Sequence, residues 1–473
     1  MPDRFMKTSI TLPLVALLAL AGCASEPYQR PETAVPAAFK EGQGWKLANP
    51  QAAEVPSDWW RLFNDPELDA LQRRLAAGNQ NLRVSLAQYR TAQAALASSR
   101  SSLFPSLGLS AGATRAESTP GARPTTSYNV GASASWELDL WGRVSSGVDA
   151  AAARLEASQA DLAGVRLSLQ ATLTQTYLST RAAEAQAQLY ERTVQAYQRS
   201  LELTRNRYQG GVASAADVAQ AESQLKSTQA QAIEARSSRA QLEHALAVLV
   251  GEAPANFSLA PTGTLPQPPQ APLQLPSALL ERRPDIAAAE RRVAAANAQI
   301  GVARAAFFPS LTLSASAGFR GSSLGGLVAS PNLVWSLGPA LALSLLDGGA
   351  RQAAVDTARA GVDQAVATYR QTVLTAFQEV EDNLVIASSL EEEQRLQSEA
   401  LAAARRALEI AENQYRAGTV SYLNVVSAQT TVLSAERSLL DARNRRLAAL
   451  NQLLKNIAGR WDVPVPPAGG ESK

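Results

Sequence analysis

The sequence predicts an α+β membrane protein with an internal two-fold repeat: long helices packed as a coiled-coil barrel, and four β-strands per chain contributing to a 12-stranded trimeric transmembrane β-barrel. Three observations predict it. Motifs recur at a near-constant spacing, four segments alternate between apolar and small polar residues, and two very long stretches run without a proline.

Leu103-Phe104-Pro105-Ser106-Leu107 returns as Phe307-Phe308-Pro309-Ser310-Leu311, an offset of 204 residues. Tyr208-Gln209-Gly210-Gly211-Val212 returns as Tyr415-Arg416-Ala417-Gly418-Thr419, an offset of 207. Near-constant offsets indicate a duplicated unit. Repeat 1 is read as residues 57–262 and repeat 2 as 277–462, joined by a linker at 263–276, with an extended segment at 23–56 and a flexible tail at 463–473. Pro254, Pro261, Pro266, Pro268, Pro269, Pro272 and Pro276 bar regular helix or central strand in and before that linker. Each half reads helix, strand, loop, strand, very long helix, tight turn, long helix, and Pro105 and Pro309 stop the helices before them.

Strands are expected at about 104–115, 127–141, 308–320 and 333–347. In the second, Val130, Ala132, Ala134, Trp136, Leu138 and Leu140 share one face, and Asn129, Gly131, Ser133, Ser135, Glu137 and Asp139 the other. The third sets Leu311, Leu313, Ala315, Ala317 and Phe319 against Ser310, Thr312, Ser314, Ser316 and Arg320. Taken alone, this alternation fits a soluble half-buried sheet better than a membrane barrel with a wet lumen. Length shifts the balance, because about 9–11 residues already make a tilted crossing. Four strands cannot close a barrel, since the smallest have about eight, and open edges are forbidden in lipid. Three copies give the simplest closed solution.

Long helices are expected at about 142–208, 213–250, 349–415 and 420–457. The first would span ~100 Å at 1.5 Å per residue. Val426, Leu433, Leu440, Leu447 and Leu454 recur every seven residues, as do Leu155, Leu162 and Leu169, the seam of supercoiled helices or of an internal bundle core.

With 473 residues, 46% apolar and 18% charged, the chain can bury sizeable cores. A formal charge of +2 without a basic block makes nucleic acid a poor partner. Arg4 and Lys7, the apolar run Leu12 to Leu20 and the small residues after it have the pattern of a signal peptide at 1–22, too short to span a bilayer. Leu20-Ala21-Gly22-Cys23 resembles the bacterial lipobox, which implies N-acyl and S-diacylglycerol groups on Cys23, the only cysteine. Ala24 after it, by resemblance to sorted lipoproteins, favours the outer membrane, where acyl chains anchor at ~0.8 kcal/mol per buried CH₂.

Catalysis lacks its parts. One histidine, His244, and one cysteine cannot assemble a zinc site. Gly210-Gly211 and Gly348-Gly349 lack the Lys-Ser/Thr of a phosphate loop, so no cofactor is expected and energy must come from a partner. Glu391-Glu392-Glu393 reads as a solvated helix face.

Three motifs, Trp136-Glu137-Leu138-Asp139-Leu140-Trp141-Gly142-Arg143, Leu279-Leu280-Glu281-Arg282-Arg283-Pro284-Asp285-Ile286 and Ala303-Arg304-Ala305-Ala306-Phe307-Phe308-Pro309-Ser310, stand in order along the chain. With them it resembles the outer-membrane factor (TolC-like) family, in the NodT-like lipoprotein branch, from Cys23 to about Trp461. The resemblance implies a homotrimer in the outer-membrane lipid that docks a periplasmic adaptor and an inner-membrane transporter, proton-driven of the RND type or ATP-driven of the ABC type. It implies the gated exit duct of an efflux pump, with Glu137, Asp139 and Arg320 facing the lumen. It also implies a periplasmic gate at the helix-turn-helix tips. Tyr415 and Asp217 match family gate positions, Tyr208 is the repeat partner of Tyr415, and Arg416 and Arg207 are nearby donors. Asn424 and Ser427 depart from the aspartates common in relatives, and Val420 from an arginine. The expected closure has Tyr415 and Arg416 reaching the neighbouring helix pair near Asp217, with Val420 assisting. Two rival readings share much of this pattern: a duct for type I protein secretion, and a structural coiled-coil lipoprotein without a conduit.

Overall fold

The computed structural model of the chain describes residues 28–42, 58–117, 123–269 and 282–458. Cys23, the signal peptide, most of the 23–56 segment, residues 270–276 of the linker and the tail lie outside the described residues.

Helix α1 (Pro66–Gly78) starts where Asp65 accepts from the amides of Glu67 and Leu68 at 3.0 and 3.3 Å, with Pro66 in the first turn, where its missing N–H costs nothing. Then come α2 (Gln80–Ser101), β1 (Ser106–Ala116), β2 (Thr125–Leu138), α3 (Arg143–Gln209) and α4 (Ala215–Val250). The second half follows with α5 (Pro284–Ala305), β3 (Ser310–Gly321), β4 (Leu333–Ala342), α6 (Ala350–Arg416) and α7 (Tyr422–Ile457). Both α3 and α6 have 67 residues, both α4 and α7 have 36, and both α2 and α5 have 22, so the duplication is kept residue for residue in the helices. Among the described residues no helix is apolar enough to cross a membrane.

The chain divides into two units. The first takes in Ala87–Ala160 and Ile286–Thr372, with residues 28–33, and holds a four-stranded antiparallel sheet in the order β1-β2-β3-β4. Its register carries the alternation across every strand. Leu109 pairs with Ala132, Ala132 with Ala317 and Ala317 with Trp335, while Gly108 pairs with Ser133, Ser133 with Ser316 and Ser316 with Ser336. Residues opposite one another share a face, so one side of the sheet is apolar and the other small and polar. The apolar side is bare: Leu107, Leu109, Trp335, Leu337 and Leu341 are each at least two-thirds exposed. On the polar side the Ser316 and Ser336 hydroxyls are 2.8 Å apart. Gly131 and Gly318 are paired there, and a Cβ on Gly318 would stand 2.5 Å from the carbonyl oxygen of Val130, so only hydrogen fits.

Two strands stop earlier than their alternation suggests. β2 ends at Leu138 because Asp139 turns away to cap α3, and β4 ends at Ala342 rather than near 347. Pro339 lies within β4, which is an edge strand of the sheet in the single chain, the place in a sheet where proline is tolerated.

The second unit comprises Ala34–Leu86, Asp161–Asp285 and Val373–Lys473. Its main core joins Trp59, Phe63, Leu68, Leu71 and Leu75 to Leu173, Leu178, Leu246, Val380, Leu384, Leu450, Leu453 and Leu454. The heptad residues Val426, Leu447 and Leu454 are buried, with Leu433 and Leu440 half-buried beside them. A polar chain runs through the same unit. The Tyr177 hydroxyl donates to Asp65 at 2.6 Å, and the Arg181 guanidinium lies 4.8 Å over the Tyr177 ring. Arg181 pairs with Glu184 at 2.9 Å, both almost wholly buried, and Arg239 pairs with Glu184 and with Glu243. These groups hold an irregular segment: the carbonyls of Leu259 and Ala260 accept from Arg239 and Arg181, while the amides of Leu259 and Thr262 donate to Glu243 and Glu184.

Candidate functional site

Two places gather the residues singled out in the sequence: the joint between β2 and α3, and the tips of the two helical hairpins.

At the joint, Gly142 takes a left-handed φ of 73°, and the Asp139 carboxylate accepts from the amides of Val144 and Ser145 at 2.8 and 2.7 Å. Glu137 forms a two-pronged pair with Arg143 at 2.7 and 2.6 Å. Trp141 donates its indole N–H to the carbonyl of Pro309 at 2.6 Å and stacks on Phe308 at 4.8 Å. Asp139 and Glu137, expected as lumen charges, are therefore committed to the strand-to-helix turn, and Asp139 lies past the end of the strand. Arg320 pairs with Asn129 in register on the polar side, which Glu137 shares. The repeat builds a second joint that the sequence reading missed. Asp347 accepts from the Gly349 amide at 3.0 Å and pairs with Arg351 at 2.6 Å. The shared Asp-x-x-x-Arg spacing of Asp139 with Arg143 and Asp347 with Arg351 was the available signal.

Burial tends to raise the Asp139 pKa, but hydrogen bonds from Ser145 and Val144 and the charge of Arg143 outweigh it and hold the carboxyl below the usual aspartate range. A lowered folded pKa contributes stability that is complete above the unfolded value of about 3.9 and is lost as pH falls through the folded one. Asp139→Ala should therefore destabilise the purified protein by about 0.5–2 kcal/mol at pH 7. The gap between wild type and variant in thermal unfolding should start to narrow as pH falls below about 3.9 and close only below the lowered folded value; a gap that is constant with pH would mean the carboxylate is not the source.

At the tips, α3 ends in a turn closed by bonds from the Val212 amide to the Arg207 carbonyl at 2.8 Å and from Gly211 to Tyr208 at 3.0 Å, with Gly211 at φ 73°. α6 ends in the same way: Thr419 to Gln414 and Gly418 to Tyr415, both 3.0 Å, with Gly418 at φ 78°. Glycine is required there because both turns need a left-handed residue. Between the tips lies a core of Tyr197, Leu201, Ala221, Leu225, Tyr415, Tyr422, Val425 and Val426. The Arg207 guanidinium lies 4.6 Å over the Tyr415 ring and donates to the Arg416 carbonyl at 3.3 Å. Tyr415 tilts against Tyr422 at 5.3 Å, and the Tyr422 hydroxyl is 3.1 Å from that of Ser200. Burial pushes the Tyr197 and Tyr422 hydroxyls above the usual phenol range, so both stay neutral near pH 7.

The expected closure has Tyr415 and Arg416 reaching the neighbouring helix pair near Asp217; within the single chain these residues have the following partners. Tyr415 is buried in this core and its hydroxyl has no hydrogen-bond partner among the described residues. Asp217 is bound to Ser214, whose amide and hydroxyl both donate to its carboxylate at 2.9 Å, a reciprocal capping box that starts α4. Arg416 pairs on its own helix with Asn413 and Glu412. Val420 packs half-buried on the tip core, Asn424 and Ser427 are exposed, and Tyr208 is half exposed. Arg207, rather than Arg416, bridges the two hairpins.

A sheet that is apolar on one bare face and small and polar on the other, joined to duplicated helices of 67 residues, defines a chain built for a membrane channel. The profile of the outer membrane efflux protein family matches residues 71–252 and 275–459, one match for each repeat, and the chain belongs to that family. It is 33% identical over 466 residues to the toluene efflux pump outer membrane protein TtgC of Pseudomonas putida, covering 96% of each chain. It is 33% identical over 468 residues to the outer membrane protein OprJ of Pseudomonas aeruginosa, covering 95% of each. Among solved structures it resembles the outer-membrane channel OprN with a TM-score of 0.86 at 30% identity, over 93% of this chain and 99% of that one. The chain is an outer-membrane channel, the exit duct of an efflux pump. The family's work is conduction rather than catalysis.

Proposed function

We propose that three copies close into one conduit: a barrel of twelve strands in the outer membrane, continued by helices into the periplasm, held by acyl groups on Cys23 and joined to a periplasmic adaptor and an inner-membrane RND-type or ABC transporter. The observation that carries this reading is the sheet itself. β1 and β4 are its edges, each paired on one side only, and its apolar face is bare. Lipid tolerates no open edge, so the edges of neighbouring copies must meet. The small polar face then lines the pore, which suits a duct of low selectivity. Cargo of small organic molecules is supported by the toluene efflux pump to which the relative TtgC belongs.

Conductance of the purified, acylated protein in planar bilayers, with crosslinking to count chains, tests the reading. Trimers with rare, small openings are expected. A monomer, or no conductance from a trimer, would overturn it.

A further inference from the structure

α3 corresponds to α6 and α4 to α7 at one offset, 207 residues, without a gap inside either pair. Inside one chain the two repeats meet at the tips through Arg207 over Tyr415, Ser200 against Tyr422, and Gln224 donating to Thr430 at 3.1 Å. In a ring of three duplicated chains, which rests on the trimer proposed above, repeats alternate. Each chain therefore contains one boundary of this kind and shares another with each neighbour. Moving the contacts along by 207 positions shows what the shared boundary would hold. Arg207 becomes Gln414, Tyr415 becomes Tyr208, Ser200 becomes Ala407 and Tyr422 becomes Ala215, while Gln224 and Thr430 become Thr431 and Ser223, two hydroxyl residues. The cation over the ring and the tyrosine hydroxyl contact are both gone.

We propose that the tip boundary between copies is the weak seam of the duct, formed by Gln414 against Tyr208 of the partner subunit, and that the ring parts there while the boundary inside each chain stays clasped. The two tyrosines agree with this. Tyr415, seated under Arg207, is 6% exposed, whereas its repeat partner Tyr208 is 49% exposed in the single chain and has a free ring face to offer. Gln414 is exposed as well.

The test gives the seam the cation it lacks. Gln414→Arg should lower the open probability of the acylated channel in planar bilayers by about two- to fivefold per seam, the strength of an exposed cation–π pair. Tyr208→Ala added to it should restore wild-type opening, because the new guanidinium then has no ring to sit on. Position is read separately. Cysteines at Gln414 and Tyr208 should crosslink chains to one another under mild oxidation, and cysteines at Arg207 and Tyr415 should crosslink within one chain. Opening unchanged by Gln414→Arg, or a Gln414/Tyr208 crosslink confined to one chain, would overturn the proposal. A wild-type protein that is monomeric would overturn the trimer as well, which separates the two failures.

Discussion

Replacing Leu337 with arginine should remove the protein from the outer membrane, while arginine at the neighbouring Ser336 should leave it there. Leu337 sits on β4, paired in register with Ala315, and is two-thirds exposed on the apolar face. A charged side chain facing the bilayer midplane costs about 2–4 kcal/mol, and in the proposed trimer each copy would carry it. That is a factor of about thirty or more in the insertion equilibrium per chain. Ser336 is one position away and on the opposite face, where its hydroxyl meets Ser316 at 2.8 Å. Losing that bond costs about 1 kcal/mol, and the new charge stands in water. Heat-modifiable mobility of outer-membrane fractions reads both variants. Equal tolerance of the two would mean the apolar face is not in lipid.

The contrast also shows how the sheet was legible in advance. A period of two, repeated in four segments, specifies faces, and the length of those segments decides between a soluble and a spanning sheet. Strand ends were less legible, because apolar alternation continues past Leu138 to Leu140, where the backbone has already turned. Helix capping decides there: the two amide bonds that the Asp139 carboxylate accepts outweigh one more rung of sheet. The Ser214-x-x-Asp217 spacing is itself a capping signature, so the commitment of Asp217 could be read locally. Arg207 could not be read in this way, since its carbonyl acceptor is 209 positions further on and no local pattern says where a guanidinium from one repeat meets the other.

The buried ionic group around Glu184 was equally hidden, because Arg181 and Glu184 three positions apart look like an ordinary surface pair on a helix. Its position predicts the largest stability loss in the helical unit. Glu184 accepts from Arg181, Arg239 and the Thr262 and Gly263 amides, so Glu184→Ala orphans two guanidinium contacts and two part-buried N–H groups. Breaking a buried pair from one side costs about 3–5 kcal/mol because the remaining charge is left uncompensated. The double replacement Arg181→Met with Glu184→Met should cost less, since the buried Arg181 charge leaves with its partner, and what remains is the loss of the hydrogen bonds at Thr262, Gly263 and the Ala260 carbonyl, about 1 kcal/mol each. Arg239 keeps Glu243 at 2.6 Å and the Leu259 carbonyl in either case. Urea unfolding of the solubilised protein measures both, and limited proteolysis within residues 257–265 should be faster in the single variant than in the double. Equal losses would show that hydrogen bonds to the irregular segment, rather than charge pairing, hold this part of the duct together.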